Sequence, residues 1–413
     1  MSEPESGPRD WTNEAAWVDT RRPVEAASVL PAEAYADADF FAEEQDRVFA
    51  TSWVAVALVD EVGPGRLLVR NVGGKSVLIT RDGAGQIRGF LNSCRHRGTE
   101  LAQADCSVAN TIRCPYHRWG YSLDGRLVAT PRFDEAGVDG FDPADYPLHS
   151  IRIASSGCVV YACLDPTTPP LEYWLGDLEE RLAEYTLHEW RTVETQTITI
   201  KANWKLIAEN FQEYYHLTWV HPELAKVSRV DDHFRFQGPG MYCGQTTTPV
   251  SSDDRDDWTA MPASPGLNRS DAASGRFISI FPNLLLSVLP NHCFAMRLQP
   301  VDEATTIETC TWLVPATSAE VDAEAFDRTR QFWLDVNAED IAIVERGQRG
   351  LTTGGYTPGR LSPRFEEPLH RFHNMVADRF VGVDRVPEGD HDDGQPRYGT
   401  GSNPLPYRPA NPS

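Results

Sequence analysis

Cys94-Arg95-His96-Arg97-Gly98, followed at Cys114-Pro115-Tyr116-His117 by a second short run, sets two cysteines and two histidines in matched pairs, Cys-x-His and Cys-x-x-His. Thiolates are soft ligands and imidazoles borderline ones, so the four side chains form a metal-binding set. Two geometries suit them. With both cysteines on one iron and both histidines on the other they hold a [2Fe–2S] cluster. Closed into a tetrahedron they make a Cys2His2 zinc site. At this point the residue types leave both open.

Around this stretch the chain reads as short strands. Residues 53–59, 66–71, 76–81 and 87–92 alternate or run apolar between turns at Gly63-Pro64-Gly65 and Gly73-Gly74. Strands near 148–153 and 158–164 close a small all-β domain at about Asp165-Pro166. Residues 1–28 are rich in Pro, Glu and Arg and read as a loose arm, and 31–49 as a helix. Downstream, 171–185 and 204–215 read as helices and 193–201 as a strand. A polar, loop-rich section follows over 227–274. Residues 277–299 and 305–314 read as paired strands of a second sheet, 319–347 as a long helix, and the tail beyond Phe380 as irregular.

A second constellation lies at Asn210-Phe-Gln-Glu213-Tyr-Tyr-His216-Leu-Thr-Trp-Val-His221-Pro222. Glu213 and His216, three apart, share a face in a helix. His216 and His221, five apart, point roughly 140° apart at about 100° per residue. For both to reach one metal the helix must end or pass through a π-type turn between them. A carboxylate to complete the set is available in Glu339-Asp340-Ile-Ala-Ile-Val-Glu345-Arg-Gly-Gln348-Arg-Gly350. Two histidines and one carboxylate form the facial triad of non-haem Fe(II) oxygenases, with positions left for dioxygen.

The two Cys/His loops resemble the ligand loops of Rieske iron–sulfur domains almost residue for residue. With the second constellation, most of the chain resembles the oxygenase (alpha) subunit of the Rieske non-haem iron, or ring-hydroxylating, oxygenases. That resemblance implies an α+β protein: a small all-β Rieske [2Fe–2S] domain over 52–165, and a helix-grip catalytic domain on a twisted antiparallel sheet. The catalytic domain would combine the 1–51 arm and helix with 166–413. It implies Cys94, His96, Cys114 and His117 as cluster ligands, and His216, His221 and Asp340 as ligands of a mononuclear Fe(II). Asp340 follows from its place in the Glu-Asp-x-x-x-x-Glu-x-x-Gln-x-Gly pattern; Glu339 competes with it, and Glu345 reads as structural.

In the family the carboxylate linking the two metal centres is usually Asp; here it is Glu213. Asn210-Phe211-x-Glu213-x-Tyr215-His216, Lys201-Ala-Asn-Trp-Lys205 and His221-Pro-Glu-Leu224 resemble a subgroup acting on quaternary ammonium compounds, such as glycine betaine, carnitine and stachydrine oxygenases. Those relatives often carry Cys where this chain has Tyr214, so the match is incomplete. The implied reaction uses dioxygen and single electrons from a separate flavin and iron–sulfur reductase fed by NAD(P)H. Hydroxylation of an N-methyl group would release formaldehyde; the alternative is mono- or dioxygenation of an aromatic ring. The resemblance also implies a homotrimer in which Glu213 bridges His216 of its own subunit and His117 of the partner subunit. Trp219, Tyr214, Phe281 and Trp312 are available by type for the face of a cation.

Composition agrees with such an enzyme. The 413 residues are 41% hydrophobic and 24% charged, with a net charge of −22, which argues against nucleic acid as a partner. The apolar run over 277–290 is too short for a membrane span and is broken by Pro282-Asn283. The eight cysteines form no disulfide framework, and the start of the chain lacks an apolar signal run, which together point to the cytoplasm. An electron carrier or a zinc-structured binding protein would use the first ligand set and leave the second without a purpose.

Overall fold

The computed structural model describes residues 9–133, 135, 137–247, 261, 263–264, 266–316 and 322–389. The chain divides into two units, Phe49–Thr168 and Met1–Val48 together with Pro169–Ser413.

The smaller unit is built from β1 (Val54–Leu58), β2 (Arg66–Val72), β3 (Lys75–Arg81), β4 (Ile87–Leu91), β5 (Cys106–Ser107), β6 (Thr111–Arg113), β7 (Gly120–Ser122), β8 (Leu127–Ala129), β9 (Ser150–Ser156) and β10 (Val159–Cys163). Seven form one antiparallel sheet in the order β1-β10-β9-β4-β3-β2-β5, and β6-β7-β8 form a second. The β2–β3 hairpin turns on Gly73 and Gly74, both at positive φ, as a two-residue hairpin with right-handed strand twist requires. Leu67, Leu78 and Phe90 pack with Ile112, Trp119 and Tyr121 in one core that also takes in Cys94 and Cys114. The loops bearing the cysteines are therefore seated on packed apolar side chains.

The larger unit contains α1 (Glu33–Ala36), α2 (Ala38–Glu44), α3 (Leu171–Leu175), α4 (Leu178–Arg181), β11 (Trp190–Ile200), α5 (Trp204–Gln212), α6 (Leu217–Val220), α7 (Leu224–Val227), β12 (His233–Arg235), β13 (Tyr242–Thr247), β14 (Gly275–Ile280), β15 (Leu284–Val288), β16 (Cys293–Asp302), β17 (Thr305–Pro315), α8 (Ala323–Leu351) and α9 (Glu367–Val381). Its strands form one antiparallel sheet, β11-β17-β16-β15-β14-β13-β12. Helix α5 lies against β13, β14 and β16, and α9 against β13. Asp322 caps α8 by accepting from the backbone N–H groups of Glu324 and Ala325.

Several sequence expectations need correction here. Residues 9–28 are not loose: Trp17 is buried against Phe40 and Phe380, and Arg21 pairs with Asp378 at 2.7 Å. Two tryptophans, Trp11 and Trp17, supply the apolar area that composition alone hid. The polar section over 227–274 contains β12 and β13, which complete the sheet; residues 248–260 lie outside the described residues. The helix expected over 31–49 is α1, α2 and a π-turn at Gln45–Phe49. The helix expected to reach residue 215 stops at Gln212. Of the tail expected to be irregular, 390–413 lies outside the described residues, while α9 ahead of it was not foreseen.

Candidate metal centres and active site

The two Cys/His loops share one backbone design. The carbonyl of Cys94 accepts from Gly98 N–H at 2.9 Å, and that of Cys114 from Arg118 N–H at 3.1 Å. The Cys94 N–H donates to Thr99 O at 2.9 Å, and the Cys114 N–H to Trp119 O at 2.8 Å. Both turns close through positive φ, at Gly98 (70°) and at Arg118 (63°). Each loop thus presents a cysteine and a histidine from a tight, self-bonded turn. The His96 and His117 rings lie 4.7 Å apart, and His96 stacks on Trp119 at 4.7 Å and 13°.

Both thiols are buried. Burial pushes the Cys94 thiol up, and the neighbouring Cys114 adds to this, while Tyr121 counters it. The Tyr121 hydroxyl lies 3.3 Å from Cys94 Sγ and accepts from Arg95 N–H at 3.0 Å. Two buried sulfurs beside two imidazoles suit a cationic centre that offsets the cost of two thiolates.

In the larger unit the chain leaves α5 at Glu213, which is extended, and makes the single turn α6 between His216 and His221. Glu213 therefore does not share a helix face with His216. It reaches the ring because the chain doubles back. Its carboxylate accepts from the backbone N–H groups of Tyr215 and His216 and meets His216 Nδ1. One carboxylate thus closes the turn ahead of α6 and orients a ring.

The remaining ring nitrogens converge. His216 Nε2 and His221 Nε2 are 3.2 Å apart, and Asp340 Oδ1 is 2.9 Å from His221 Nε2 and 3.6 Å from His216 Nε2. One ligand atom from each of the three lies within 4.8 Å of the others. Asn210 Nδ2 donates to Asp340 Oδ1 at 2.6 Å, and Glu339 lies on the far side of His221, 2.7 Å from Nδ1. Burial alone would push both imidazoles down, but the facing carboxylates outweigh it and hold His216 and His221 above their ordinary range. The donor set fits one divalent iron with open positions. Glu345 accepts from Lys201 N–H at 3.0 Å and Gln348 from Asn203 N–H at 2.9 Å, so both tie α8 to the start of α5.

Beside this cluster lies a cavity lined by Phe277, Phe294 and Met296 from the sheet and by Trp333, Val336, Asn337 and Asp340 from α8. Those four α8 positions follow the spacing of one helical face. The aromatics named from sequence do not line it. Trp219 is 81% exposed, Phe281 packs against Trp174, and Tyr214 stacks on His233. Trp312 lies behind Phe294 at 4.8 Å. The sequence reading missed Asn210 as a partner of Asp340 and missed Phe277, Phe294 and Trp333 as pocket walls. Only the helical spacing from Trp333 to Asp340 could have pointed to them.

Two family descriptions match this chain. "Rieske [2Fe-2S] domain" covers residues 52–150, and "Ring hydroxylating alpha subunit (catalytic domain)" covers residues 187–382. The chain belongs to the Rieske non-haem iron oxygenases. In this family the two domains carry a Rieske cluster and a mononuclear iron, and this oxygenase has a fitting donor set in each unit. Its fold is α+β, a small all-β Rieske domain and a catalytic domain of helices on an antiparallel sheet. It is 27% identical over 398 residues to the glycine betaine monooxygenase oxygenase subunit of Pseudomonas aeruginosa, covering 89% of this chain and 92% of that one. With the carnitine monooxygenase oxygenase subunit of Escherichia coli it shares 27% identity over 373 residues, 86% of this chain and 94% of the relative. A quaternary ammonium Rieske monooxygenase solved with L-carnitine superposes with a TM-score of 0.73 at 25% identity, over 89% of this chain and 99% of that chain. Naphthalene 1,2-dioxygenase from Rhodococcus sp. superposes with a TM-score of 0.72 over 86% of this chain and 95% of that one; at 21% identity this speaks for the fold alone.

Proposed function

We propose that this Rieske oxygenase removes a methyl group from a small quaternary or tertiary ammonium compound. The observation that carries the reading is the aromatic wall of Phe277, Phe294 and Trp333 directly beside His216, His221 and Asp340. Aromatic faces attract a cation that has lost its water, by roughly 2 kcal/mol or more. The glycine betaine and carnitine relatives agree with this choice. Ring hydroxylation has the family description and a likeness of fold on its side, without a relative of comparable identity.

Cys94, His96, Cys114 and His117 would hold the cluster, and His216, His221 and Asp340 the iron. When bound, these groups supply single electrons and the activation of dioxygen. The side chains do the rest. Glu213 and Glu339 accept from the Nδ1 atoms and turn both Nε2 lone pairs inward. Asn210 holds the Asp340 oxygen. The aromatic wall keeps water from the methyl groups and aims one at the metal. Once that methyl carries a hydroxyl, its C–N bond breaks to give formaldehyde and the demethylated amine.

Electrons would come from a separate flavin and iron–sulfur reductase using NAD(P)H. We assign the assembly as a homotrimer, a ring that closes on itself, with Glu213 the link between His216 and His117 of the partner subunit. A solved relative is described with inter-subunit electron transfer. We place the enzyme in the cytoplasm, beside its source of NAD(P)H; among the described residues no helix is long and apolar enough to cross a membrane. The deciding assay measures formaldehyde and NADH consumption over a panel of methylammonium compounds and aromatic acids. Turnover of aromatic acids, with no formaldehyde from any ammonium compound, would reverse the reading.

A further inference from the structure

Acids buried in the larger unit sit against cations. Glu44 meets Lys205 at 2.7 Å, and Asp378 meets Arg21 and Arg385, each at 2.7 Å. Glu367 pairs with Arg235, and Asp271 with Arg276. Burial demands such partners, because a lone charge inside a protein is costly. Glu308 of β17 departs from the pattern. Its side chain is fully buried. Among the described residues no Lys, Arg or His bears on its charge, and the one charged group that does is Asp340, itself an acid.

This carboxyl stands one side chain behind the cavity wall. From α8, Asn337 Nδ2 donates to Glu308 Oε2 at 2.7 Å, and Asn337 lines the cavity. Cys310, two residues along β17 and so on the same face, donates from Sγ to the same oxygen at 3.2 Å. Cys310 lies opposite Met296 of β16, another lining residue. Glu308 Oε1 has no hydrogen-bond partner among the described residues. Ile198 of β11 and Leu298 of β16 flank Glu308 in the sheet, so little screens a charge placed there. Burial pushes the carboxyl up and Asp340 adds to this, while the bonds from Asn337 and Cys310 pull it down.

We propose that Glu308 is the counter-charge for a cationic substrate: the ammonium head in the cavity supplies the positive charge that the protein withholds from this carboxylate. The proposal rests on the methylammonium reading above and names what makes the site choose by charge. Aromatic walls accept any compact apolar head and favour a cation only at close range. A carboxylate among apolar neighbours attracts a cation without touching it. Asn337 carries the same preference to the wall. Its Nδ2 is committed to Glu308, so the end of the amide left for a ligand is the Oδ1 acceptor. An oxygen of partial negative charge suits the polarised methyl groups of an ammonium ion.

The test pairs ligands of one shape and different charge: choline with neohexyl alcohol, and glycine betaine with tert-butylacetate. In each pair the second member has carbon where the first has the charged nitrogen. Anaerobic titration calorimetry of the holoenzyme reads the affinity ratio within each pair. In the unaltered enzyme the nitrogen compound should bind tighter. Glu308→Gln should cut that ratio by about ten- to thirty-fold and leave the carbon analogue within about twofold. Glu308→Asp, which keeps the charge, should retain most of the ratio. Glu308→Met is the second neutral variant, because hydrocarbon in place of a lone buried charge leaves folding intact. Cluster absorbance and melting temperature check that each variant folds. A ratio unmoved in the neutral variants, or equal losses for both members of a pair, would overturn the proposal and leave Glu308 a structural acid. If no ammonium compound binds or yields formaldehyde, the parent reading fails and the counter-charge falls with it. If they turn over while the ratio stays put, only the counter-charge falls.

Discussion

Glu339 and Asp340, adjacent on α8, grip His221 from opposite edges: Glu339 lies 2.7 Å from Nδ1 and Asp340 2.9 Å from Nε2. Asp340 is thus on the side where His216 also points, and Glu339 behind. Asp340→Ala should empty the mononuclear site and abolish oxygenation, with the red-brown cluster intact. Glu339→Gln should lower iron affinity by about tenfold, the lower end for an orienting partner of a metal ligand, because Glu339 is partly in water. Iron counts and cluster absorbance separate the two. An Asp340→Ala enzyme that keeps its iron while Glu339→Gln loses it would reverse the assignment.

Glu213→Ala removes both the His216 ring contact and the hydrogen bonds to the backbone N–H groups of Tyr215 and His216. Losing a hydrogen bond of this kind costs about 1 kcal/mol, so the protein should fold and load both centres. Cluster oxidation on adding substrate and dioxygen, followed by single-turnover absorbance, should nearly stop. Oxidation at the normal rate, or an active monomer by sedimentation, would remove Glu213 from the electron path.

Lys205 and Glu44 form an ion pair at 2.7 Å with both side chains fully buried, and Trp204 Nε1 donates to the same carboxylate at 2.7 Å. Removing one partner strands the other. Lys205→Met should cost about 3–5 kcal/mol, and adding Glu44→Gln should restore much of it. Urea unfolding of the single and double variants measures the difference; a neutral single variant would contradict the burial argument.

Burial also pushes three histidines down: His233 and His370 to about 4 and His292 to about 3. Below pH 6.5 the unfolded chain takes up protons that these folded rings refuse. Stability is therefore full above about pH 6.5 and falls as pH drops toward 4. When the change is complete, His233 and His370 are each worth about 3 kcal/mol and His292 about 5 kcal/mol. Urea midpoints should stay level from pH 7.5 to about 6.5 and then fall toward pH 5. His292→Phe should flatten part of the slope, whereas an unchanged slope would mean that His292 is charged in the folded state.

The candidate ligand sets could be read from the sequence because their chemistry is local: two cysteines and two histidines on short loops, and two histidines around one turn. The pocket could not. Phe277, Ser287 and Phe294 meet only through the pairing register of β14, β15 and β16, and register is a property of partners far along the chain. Helix α9 was missed for a related reason. Its apolar stripe of Leu369, Phe372, Val376 and Phe380 was readable, but it is interleaved with His370, Arg371, His373 and Asp378, which are themselves buried. They meet Thr20 O, Gly238 O, Glu209 and Arg21. A helix whose polar side chains find distant partners looks like solvent-facing sequence until those partners are known.

His221 and Asp340 are 119 positions apart in the chain, and the segment bearing both histidines holds little regular structure beyond the single turns α6 and α7. An ion shared by them acts as a removable cross-link, closing a long loop and fastening a weakly structured stretch to α8. Limited proteolysis before and after chelation reads this directly, through cleavage within 213–230. The catalyst would then inspect itself: a copy that has lost its iron also loses the tie that shields this stretch, and becomes the copy that proteases reach first.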